Sequence, residues 1–376
     1  MRKTLLLTAL GLTMGLGLGL GTGTAALADS PWTGGDSLPT SPLACDNSGG
    51  GGSAATKYDG GQPTGAPDLK GKKITVVDVP KLIGIGYFNA TSKGIADAAK
   101  ELGNVDAKTD GPTQANIDQQ ISFIDNYITS GVNGILFAAN DPVAIAPVLK
   151  KALSKGIHVV GYDANSQPDA REWFVNQAQF NGIGKAMVDD MAKEIGEDGA
   201  FAIVTSTFTT PNQARWISEM AAYQAKCHPK MKWLETVEAQ EDNQLSFNQA
   251  TTLINKYGDD LKGIFGMTSV ATPASAEAVT QAGKCGKIAV VGLATPNAMK
   301  PYVAKDCVKS VVLWNPVDLG YAAMYVLRAA VDGDLKPGAT SVKAGKLGEL
   351  QIINGSEVLL GAPTTFTKDN INNFDF

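Results

Sequence analysis

At five positions in this chain, a short apolar run ends in a polar residue that is followed by proline. The pairs are Asp141-Pro142, Thr210-Pro211, Thr272-Pro273, Thr295-Pro296 and Asn315-Pro316. The polar side chain can cap the first amide groups of a helix, and proline at the first helical position loses no hydrogen bond. We therefore interpret each pair as a corner between a strand and a helix. Parallel strands bring such corners to one edge of a sheet, where doubly wound folds bind their ligands.

Apolar periodicity alternates between strand-like and helix-like along the chain. Strands are predicted at residues 74–79, 134–138, 158–162, 200–205, 232–237, 263–266, 288–292 and 310–314, and helices at 90–102, 117–130, 143–155, 183–195, 212–227, 245–257, 273–282 and 316–331. Such alternation is typical of α/β proteins with parallel sheets covered on both faces. The stretch directly after Asp163, residues 164–177, breaks it, and we expect the chain to cross there into a second lobe. The predicted architecture is two doubly wound lobes with a hinge and a ligand cleft between them.

The first 28 residues have the layout of a secretory signal peptide. Arg2 and Lys3 precede an apolar stretch, and Ala26-Leu27-Ala28 offers small residues for cleavage. We expect an exported protein, in the periplasm or at the outer face of the cytoplasmic membrane. Residues 29–70 are rich in Gly, Ser, Pro and Thr and predict a disordered tether. Cys45 leaves two alternatives open: it carries a lipid anchor, or cleavage follows Ala28 and its thiol is free.

Three further cysteines lie in the body of the chain. Cys285 and Cys307 each stand just before a predicted strand. If those strands are parallel neighbours, both sulfur atoms lie at the same end of the sheet, and an oxidising compartment favours a disulfide between them. Cys227 is then left over.

Several classes of function are excluded by what the sequence lacks. The net charge of −5 and the absence of a Lys/Arg run argue against nucleic acid and anionic membranes as partners. Gly84-Ile85-Gly86 lacks the third glycine of a dinucleotide site, because Asn89 occupies that position. There is no phosphate loop or nucleophile elbow, and the two histidines offer little for a triad or a metal site. We expect a monomer that is not an enzyme and uses no cofactor. The export signal stands where a sugar-responsive repressor would carry its DNA-binding helices.

Several sequence strings together resemble one protein family. They are KLIGIGYF at 81–88, DGPT at 110–113, NDP at 140–142, YD at 162–163, VNQ at 175–177, TPNAMKPY at 295–302, LWNP at 313–316 and FTKDNI at 366–371. From about Lys72 to Phe376, the chain resembles the solute-binding proteins of the autoinducer-2 and rhamnose type. These belong to the ribose-binding-like group that serves ABC sugar importers.

The resemblance implies the type I periplasmic-binding-protein fold, which has two lobes and three crossings. The first lobe would hold residues 71–164 and 316–345, and the second would hold 165–315 and 346–376. The lobes would close on the ligand by a hinge motion, and the closed form would dock on the permease.

The resemblance also implies a set of ligand-binding residues. Lys81, Asp163 and Gln213 match the lysine, the first aspartate and the glutamine of the autoinducer-2 receptors. Three positions depart from that pattern: Asn212 replaces the second aspartate, Met267 replaces a proline and Ser269 replaces an alanine. Four further candidates are Tyr87, Phe88 and Trp314, which could pack on a sugar ring or a deoxy methyl group, and Asn315, a helix cap at a lobe crossing.

These residue types suit a polyol. A carboxylate such as Asp163 accepts two hydroxyl donors while Lys81 donates to their lone pairs, and such charge-assisted bonds are strong. With Asn212, the pocket loses a formal negative charge and gains a donor. We therefore expect a rhamnose-type deoxyhexose or a pentose, delivered to ABC permease subunits. The alternatives are an autoinducer-2 receptor and a receptor that presents its ligand to a membrane sensor.

Overall fold

The computed structural model describes residues 32, 34–35, 38–46 and 57–376. The predicted signal peptide at 1–28 lies outside the described residues. The strands are β1 Ile74–Val79, β2 Val105–Thr109, β3 Gly134–Phe137, β4 His158–Tyr162, β5 Trp173–Asn176, β6 Ala200–Thr205, β7 Lys232–Glu238, β8 Leu261–Gly266, β9 Ala289–Gly292, β10 Ser310–Leu313, β11 Ser341–Lys343, β12 Glu349–Ile353, β13 Glu357–Leu359 and β14 Thr364–Thr367. The helices are α1 Gly86–Leu102, α2 Ile117–Ser130, α3 Ala146–Ser154, α4 Phe180–Ile195, α5 Pro211–Cys227, α6 Asn243–Tyr257, α7 Ala271–Gln281, α8 Pro296–Ala304 and α9 Pro316–Val331.

The first lobe is built on an eight-stranded sheet in the order β11-β12-β13-β5-β4-β3-β1-β2. Strands β1 to β5 run parallel, and β13 pairs parallel with β5. The last two strands, β12 and β11, are antiparallel additions at the edge. Helices α1 and α9 pack closely on each other and α9 also contacts β4 and β5, so the sheet is covered as the sequence predicts.

The second lobe contains a four-stranded parallel sheet in the order β7-β6-β8-β9. An antiparallel pair, β10 and β14, continues beside it through a single bridge between Leu293 and Val312. The carboxyl ends of β6 and β8 carry the loops that lead to α5 and α7. The predicted α/β class with two wound lobes is confirmed.

The chain crosses between the lobes later than the sequence predicts. β5 pairs with β4 through Val160 and Trp173, and its four residues are buried, so residues 165–176 complete the first sheet. β12 and β13 also join this sheet, although residues 346–376 were expected in the second lobe. The sheet therefore places the crossings between β5 and α4, between β10 and α9, and between β13 and β14. The second of these lies next to Asn315.

Three of the five proline corners begin helices, since Pro211, Pro296 and Pro316 stand at helix starts. The other two differ. Asp141 Oδ1 accepts from the amides of the next turn, but α3 begins only at Ala146. Thr272 lies inside α7, and its buried hydroxyl donates to the carbonyls that end β8 and begin the loop after β9. That hydroxyl joins two strand ends rather than capping a helix.

The two longest helices of the first lobe approach each other at glycines. A Cβ atom added to Gly94 of α1 would lie 1.8 Å from the carbonyl oxygen of Val317. One added to Gly320 of α9 would lie 2.0 Å from the carbonyl oxygen of Thr91. No side chain fits between the backbones at this contact.

The segment before β1 is ordered in its described parts, in contrast to the disordered tether expected for 29–70. Trp32 is buried, its ring meets Phe208 edge-on at 5.5 Å, and its Nε1 donates to Ser218 Oγ at 3.2 Å. This part of the segment therefore lies on α5 of the second lobe. Residues 57–70 lie on the first lobe, where the Gly61 amide donates to the Arg171 carbonyl at 2.8 Å.

Disulfides account for all four cysteines. Cys285 pairs with Cys307, as the sequence predicts. Cys227 is not left over, because it pairs with Cys45 across 182 residues. This bond corrects both alternatives for Cys45, since a sulfur atom in a disulfide is neither a free thiol nor available for a lipid thioether. The sequence missed this bond because the segment was expected to make no contact with the body.

Candidate ligand-binding site between the lobes

A small cavity of about 30 Å³ lies between the carboxyl ends of the strands of the two lobes. Its lining residues come from both lobes: Lys81, Tyr87, Phe88, Asp163, Asn212, Gln213, Trp216, Glu241, Met267, Thr268, Ser269, Leu293, Leu313 and Trp314. It adjoins a wider interlobe cleft, with which it shares Tyr87, Glu241 and Ser269. Nine of the ten residues predicted as ligand-binding therefore share one cavity.

Lys81 lies two residues after β1 and is the cationic group of the cavity. Its Nζ donates to Glu241 Oε1 at 2.8 Å and lies 3.4 Å from Asp163 Oδ2. Burial by itself lowers the pKa of this ammonium group, but the carboxylates of Glu241 and Asp163 outweigh it and the pKa is raised. Lys81 therefore stays charged inside the protein.

Asp163 directly follows β4 and has a left-handed backbone, with φ of 59°. Its Oδ1 accepts from the Tyr87 hydroxyl at 2.8 Å. Its Oδ2 is buried and accepts no hydrogen bond from the described residues. Desolvation raises the pKa of this carboxyl, against the opposing effects of Lys81 and Tyr87. Oδ2 is paired with the Lys81 ammonium group at 3.4 Å, which is longer than an ordinary hydrogen bond, so it retains the capacity to accept a hydrogen bond from a ligand.

Aromatic side chains connect the two lobes behind this acceptor. Trp314 Nε1 donates to the Tyr87 hydroxyl at 2.9 Å, which in turn donates to Asp163. The rings of Trp216 and Trp314 lie 5.6 Å apart, and Lys81 Nζ is 5.7 Å from the centre of the Phe88 ring. Burial is the main reason that the pKa of Tyr87 lies well above its usual value, so its hydroxyl keeps its proton.

Asn212 and Gln213 lie in the first turn of α5. The Gln213 side chain is fixed at both ends: Oε1 accepts from Thr205 Oγ1 at 2.9 Å, and Nε2 donates to Glu241 Oε1 at 3.2 Å. Asn212 Oδ1 accepts from the Gln213 amide at 3.0 Å. These contacts orient polar groups of the second lobe toward the cavity.

Asn315 is the predicted site residue that does not line the cavity. Its Oδ1 accepts from the amides of Val317 and Asp318, and its Nδ2 donates to Asp318 Oδ2 at 2.8 Å. The side chain is engaged in capping α9, so its expected contact with a ligand has no support in this arrangement.

Sequence reasoning missed five lining residues, which are Trp216, Glu241, Thr268, Leu293 and Leu313. Trp216 could have been found, because it lies one helical turn after Asn212 on α5. Glu241 gave a weaker signal, since it stands in a polar loop after a predicted strand. Its position depends on consecutive left-handed residues, Gln240 and Glu241, with φ of 51° and 54°.

The sequence of residues 76–335 matches the family described as "Periplasmic binding protein domain". The chain belongs to the periplasmic binding protein family. The match spans β1 to the end of the first lobe's last helix, and thus includes every residue that lines the cavity.

Proteins with similar sequences are named as sugar-binding or sugar-transport proteins. The chain is 25% identical over 263 residues to the D-allose-binding periplasmic protein of Escherichia coli K12, covering 66% of this chain and 82% of the relative. It is 32% identical to the solved structure of a sugar ABC transporter from Actinomyces odontolyticus, with a TM-score of 0.66 and coverage of 83% of this chain and 100% of that one. A solute-binding protein of an ABC transporter from Clostridium phytofermentans, solved with L-rhamnose bound, is 29% identical with a TM-score of 0.77 and coverage of 80% and 98%.

These matches confirm the resemblance inferred from the sequence strings. The protein is a member of the solute-binding proteins of sugar ABC transporters, and its relatives are binding proteins rather than enzymes. Among the described residues, no helix is both long and apolar enough to cross a membrane.

Proposed function

We propose that this protein is exported, binds a small neutral sugar between its lobes and delivers it to the membrane subunits of an ABC importer. The observation that carries this proposal is the buried ion pair of Lys81 and Asp163, in which Asp163 Oδ2 accepts no hydrogen bond from the described residues. An acceptor and a donor 3.4 Å apart suit adjacent hydroxyls, each of which donates one hydrogen bond and accepts another.

The apolar part of the cavity favours a deoxyhexose such as L-rhamnose. Trp216, Trp314 and Phe88 offer aromatic faces for the carbon side of a sugar ring. Met267, Leu293 and Leu313 add aliphatic surface without polar groups. A methyl group in place of a hydroxymethyl group would contact this surface without leaving a hydroxyl unpaired.

Calorimetric titration of the purified protein tests the proposal. The panel is L-rhamnose, D-ribose, D-xylose, D-allose and autoinducer-2. We expect micromolar or tighter binding of one sugar, with L-rhamnose tightest, and recovery of that sugar unchanged after incubation. Asp163→Ala should weaken binding by about 2 to 4 kcal/mol, because hydroxyl donors of the buried ligand lose their acceptor.

The result that contradicts the proposal is an absence of binding tighter than millimolar across the whole panel. Tight binding of autoinducer-2 alone would identify the ligand as this signal molecule and not a sugar. An unchanged affinity in Asp163→Ala would show that Asp163 does not contact the ligand. The proposed class of ligand would be unaffected.

A further inference from the structure

The second lobe contributes a carboxylate to the cavity in spite of Asn212. From the sequence, an asparagine at this position removes a negative charge from the binding site. The structure brings Glu241 into the same cavity, from the loop that follows β7. The charged groups of the lining are thus Lys81, Asp163 and Glu241, with one carboxylate from each lobe and a formal charge of −1.

The printed contacts of the Glu241 carboxylate with its neighbours are made by one of its two oxygens. Oε1 accepts from Lys81 Nζ and from Gln213 Nε2, at 2.8 and 3.2 Å. Neither of these two contacts uses Oε2, and the residue as a whole is only 6% exposed. Because Glu241 lines both the inner cavity and the wider cleft, a ligand entering between the lobes passes this oxygen.

The backbone that holds Glu241 in place is strained. Gln240 and Glu241 both have a left-handed conformation, which is unfavourable for residues with a Cβ atom. Strain of this kind persists where surrounding contacts require it, and it is concentrated at binding sites. The contacts here are those of the Glu241 carboxylate with Lys81 and Gln213.

We propose that Glu241 is a specificity-determining residue, which supplies the second carboxylate of the binding site and restricts the ligand to neutral polyhydroxylated molecules. This inference rests on the proposed function of the same cavity. Oε2 accepts a ligand hydroxyl from the side of the second lobe, opposite Asp163. A carboxylated or phosphorylated sugar would place a third negative charge beside a single ammonium group, in a lining that contains no arginine.

Titration of Glu241→Gln tests this role, since glutamine keeps the shape and removes the charge. The probes are L-rhamnose, D-ribose and D-allose, together with L-rhamnonate and ribose 5-phosphate as anions. We expect the wild-type protein to bind a neutral sugar and neither anion. Glu241→Gln should bind the neutral sugar at least tenfold more weakly than the wild type. The ratio of the variant's affinities for neutral and anionic probes should also fall at least tenfold.

Two further variants separate a direct role from a structural one. Glu235→Gln is the matched control, because Glu235 lies on β7, pairs with Lys256 and does not line the cavity. It should leave the affinity unchanged. Asn212→Asp combined with Glu241→Gln returns a carboxylate to the second lobe and should recover most of the lost affinity. If Glu241→Gln fails to fold, as judged by circular dichroism, Glu241→Asp retains the charge and should keep discrimination against the anions.

The outcomes distinguish this inference from the function on which it rests. If the wild-type protein binds no sugar, both fail. If it binds a neutral sugar and Glu241→Gln binds that sugar and the anions as the wild type does, the function stands and the role of Glu241 is overturned. Wild-type binding of L-rhamnonate or ribose 5-phosphate would also overturn it.

Discussion

The second lobe is tied by both disulfides, Cys45–Cys227 and Cys285–Cys307, whereas the first lobe contains no cysteine. The first lobe instead has a sheet of eight strands, helix backbones in contact at Gly94 and Gly320, and a buried pair in which His158 Nδ1 lies 3.0 Å from Glu172 Oε2. The second lobe has half as many strands in its main sheet. The lobe with the smaller sheet is thus the one that carries the covalent cross-links.

Because of this contrast, reduction of the disulfides and overpacking of a helix contact should destabilise different lobes. Reduction acts on the second lobe and on the segment before β1, while an enlarged side chain at the α1–α9 contact acts on the first lobe. Each lobe can therefore be perturbed with little direct effect on the other, although the cavity needs both.

The largest expected effect is the loss of the long disulfide. Replacing Cys45 and Cys227 by serine should lower the free energy of unfolding by about 5 kcal/mol, because the denatured chain regains the freedom of a long loop. The loop between Cys285 and Cys307 spans 22 residues, so replacing this pair should cost less, about 3 kcal/mol. Urea unfolding of both double variants measures the two values. Equal losses would show that loop length does not govern the stability of this lobe.

Next in size is Gly320→Ala in the first lobe. The new methyl group would meet the carbonyl oxygen of Thr91, and overpacking of this kind costs about 3 kcal/mol. Gly182→Ala in α4 is the matched control, since a Cβ atom there has no neighbour within 4 Å. It should be neutral or stabilise by up to about 1 kcal/mol through helix propensity. Thermal unfolding compares the two variants, and equal midpoints would refute the close contact between α1 and α9.

The smallest effect is a pH dependence that differs between the lobes. Burial raises the pKa of Asp78 in the first lobe to about 7, while hydrogen bonds from Tyr162 and Thr109 oppose the shift. The folded state therefore holds a proton that the unfolded state has already released. The free energy of unfolding should fall as the pH rises from 3.8, the ordinary pKa of this carboxyl, to about 7, and level off above that; the part between pH 6 and 7 is about 1 kcal/mol.

Asp78→Asn should remove that slope, as measured by urea unfolding at a series of pH values. Glu194 in the second lobe is the comparison, since burial raises its pKa to about 7 as well. Glu194 is only partly buried, so Glu194→Gln should change the slope less than Asp78→Asn does. If Glu194→Gln changed the pH slope more than Asp78→Asn does, Asp78 would not be the main source of the pH dependence.

The sequence predicted the parts of the structure that depend on local patterns. Lys81 and Asp163 each follow a predicted strand, but it was the family resemblance, rather than this position, that assigned them to the binding site. The helix start at Pro316 followed from the capping side chain of Asn315, which accepts from the amides of the next turn.

The remaining features depend on contacts between distant residues. β5 and β13 have four and three residues, too few for periodicity to show which sheet they join. The partner of Cys45 is 182 residues away, and cysteine spacing does not determine connectivity. Glu241 reaches the cavity through a left-handed backbone at Gln240 and Glu241, which these residue types do not predict.

The order of the strands within each sheet has a consequence for how the chain folds during synthesis. The first lobe requires α9, β12 and β13 for its final form, and the second requires β14. Neither lobe can therefore complete its packing until these late segments have been synthesised. A chain interrupted before residue 349 would expose the edge of β5 and leave both halves incomplete, a template for association with other unfinished chains.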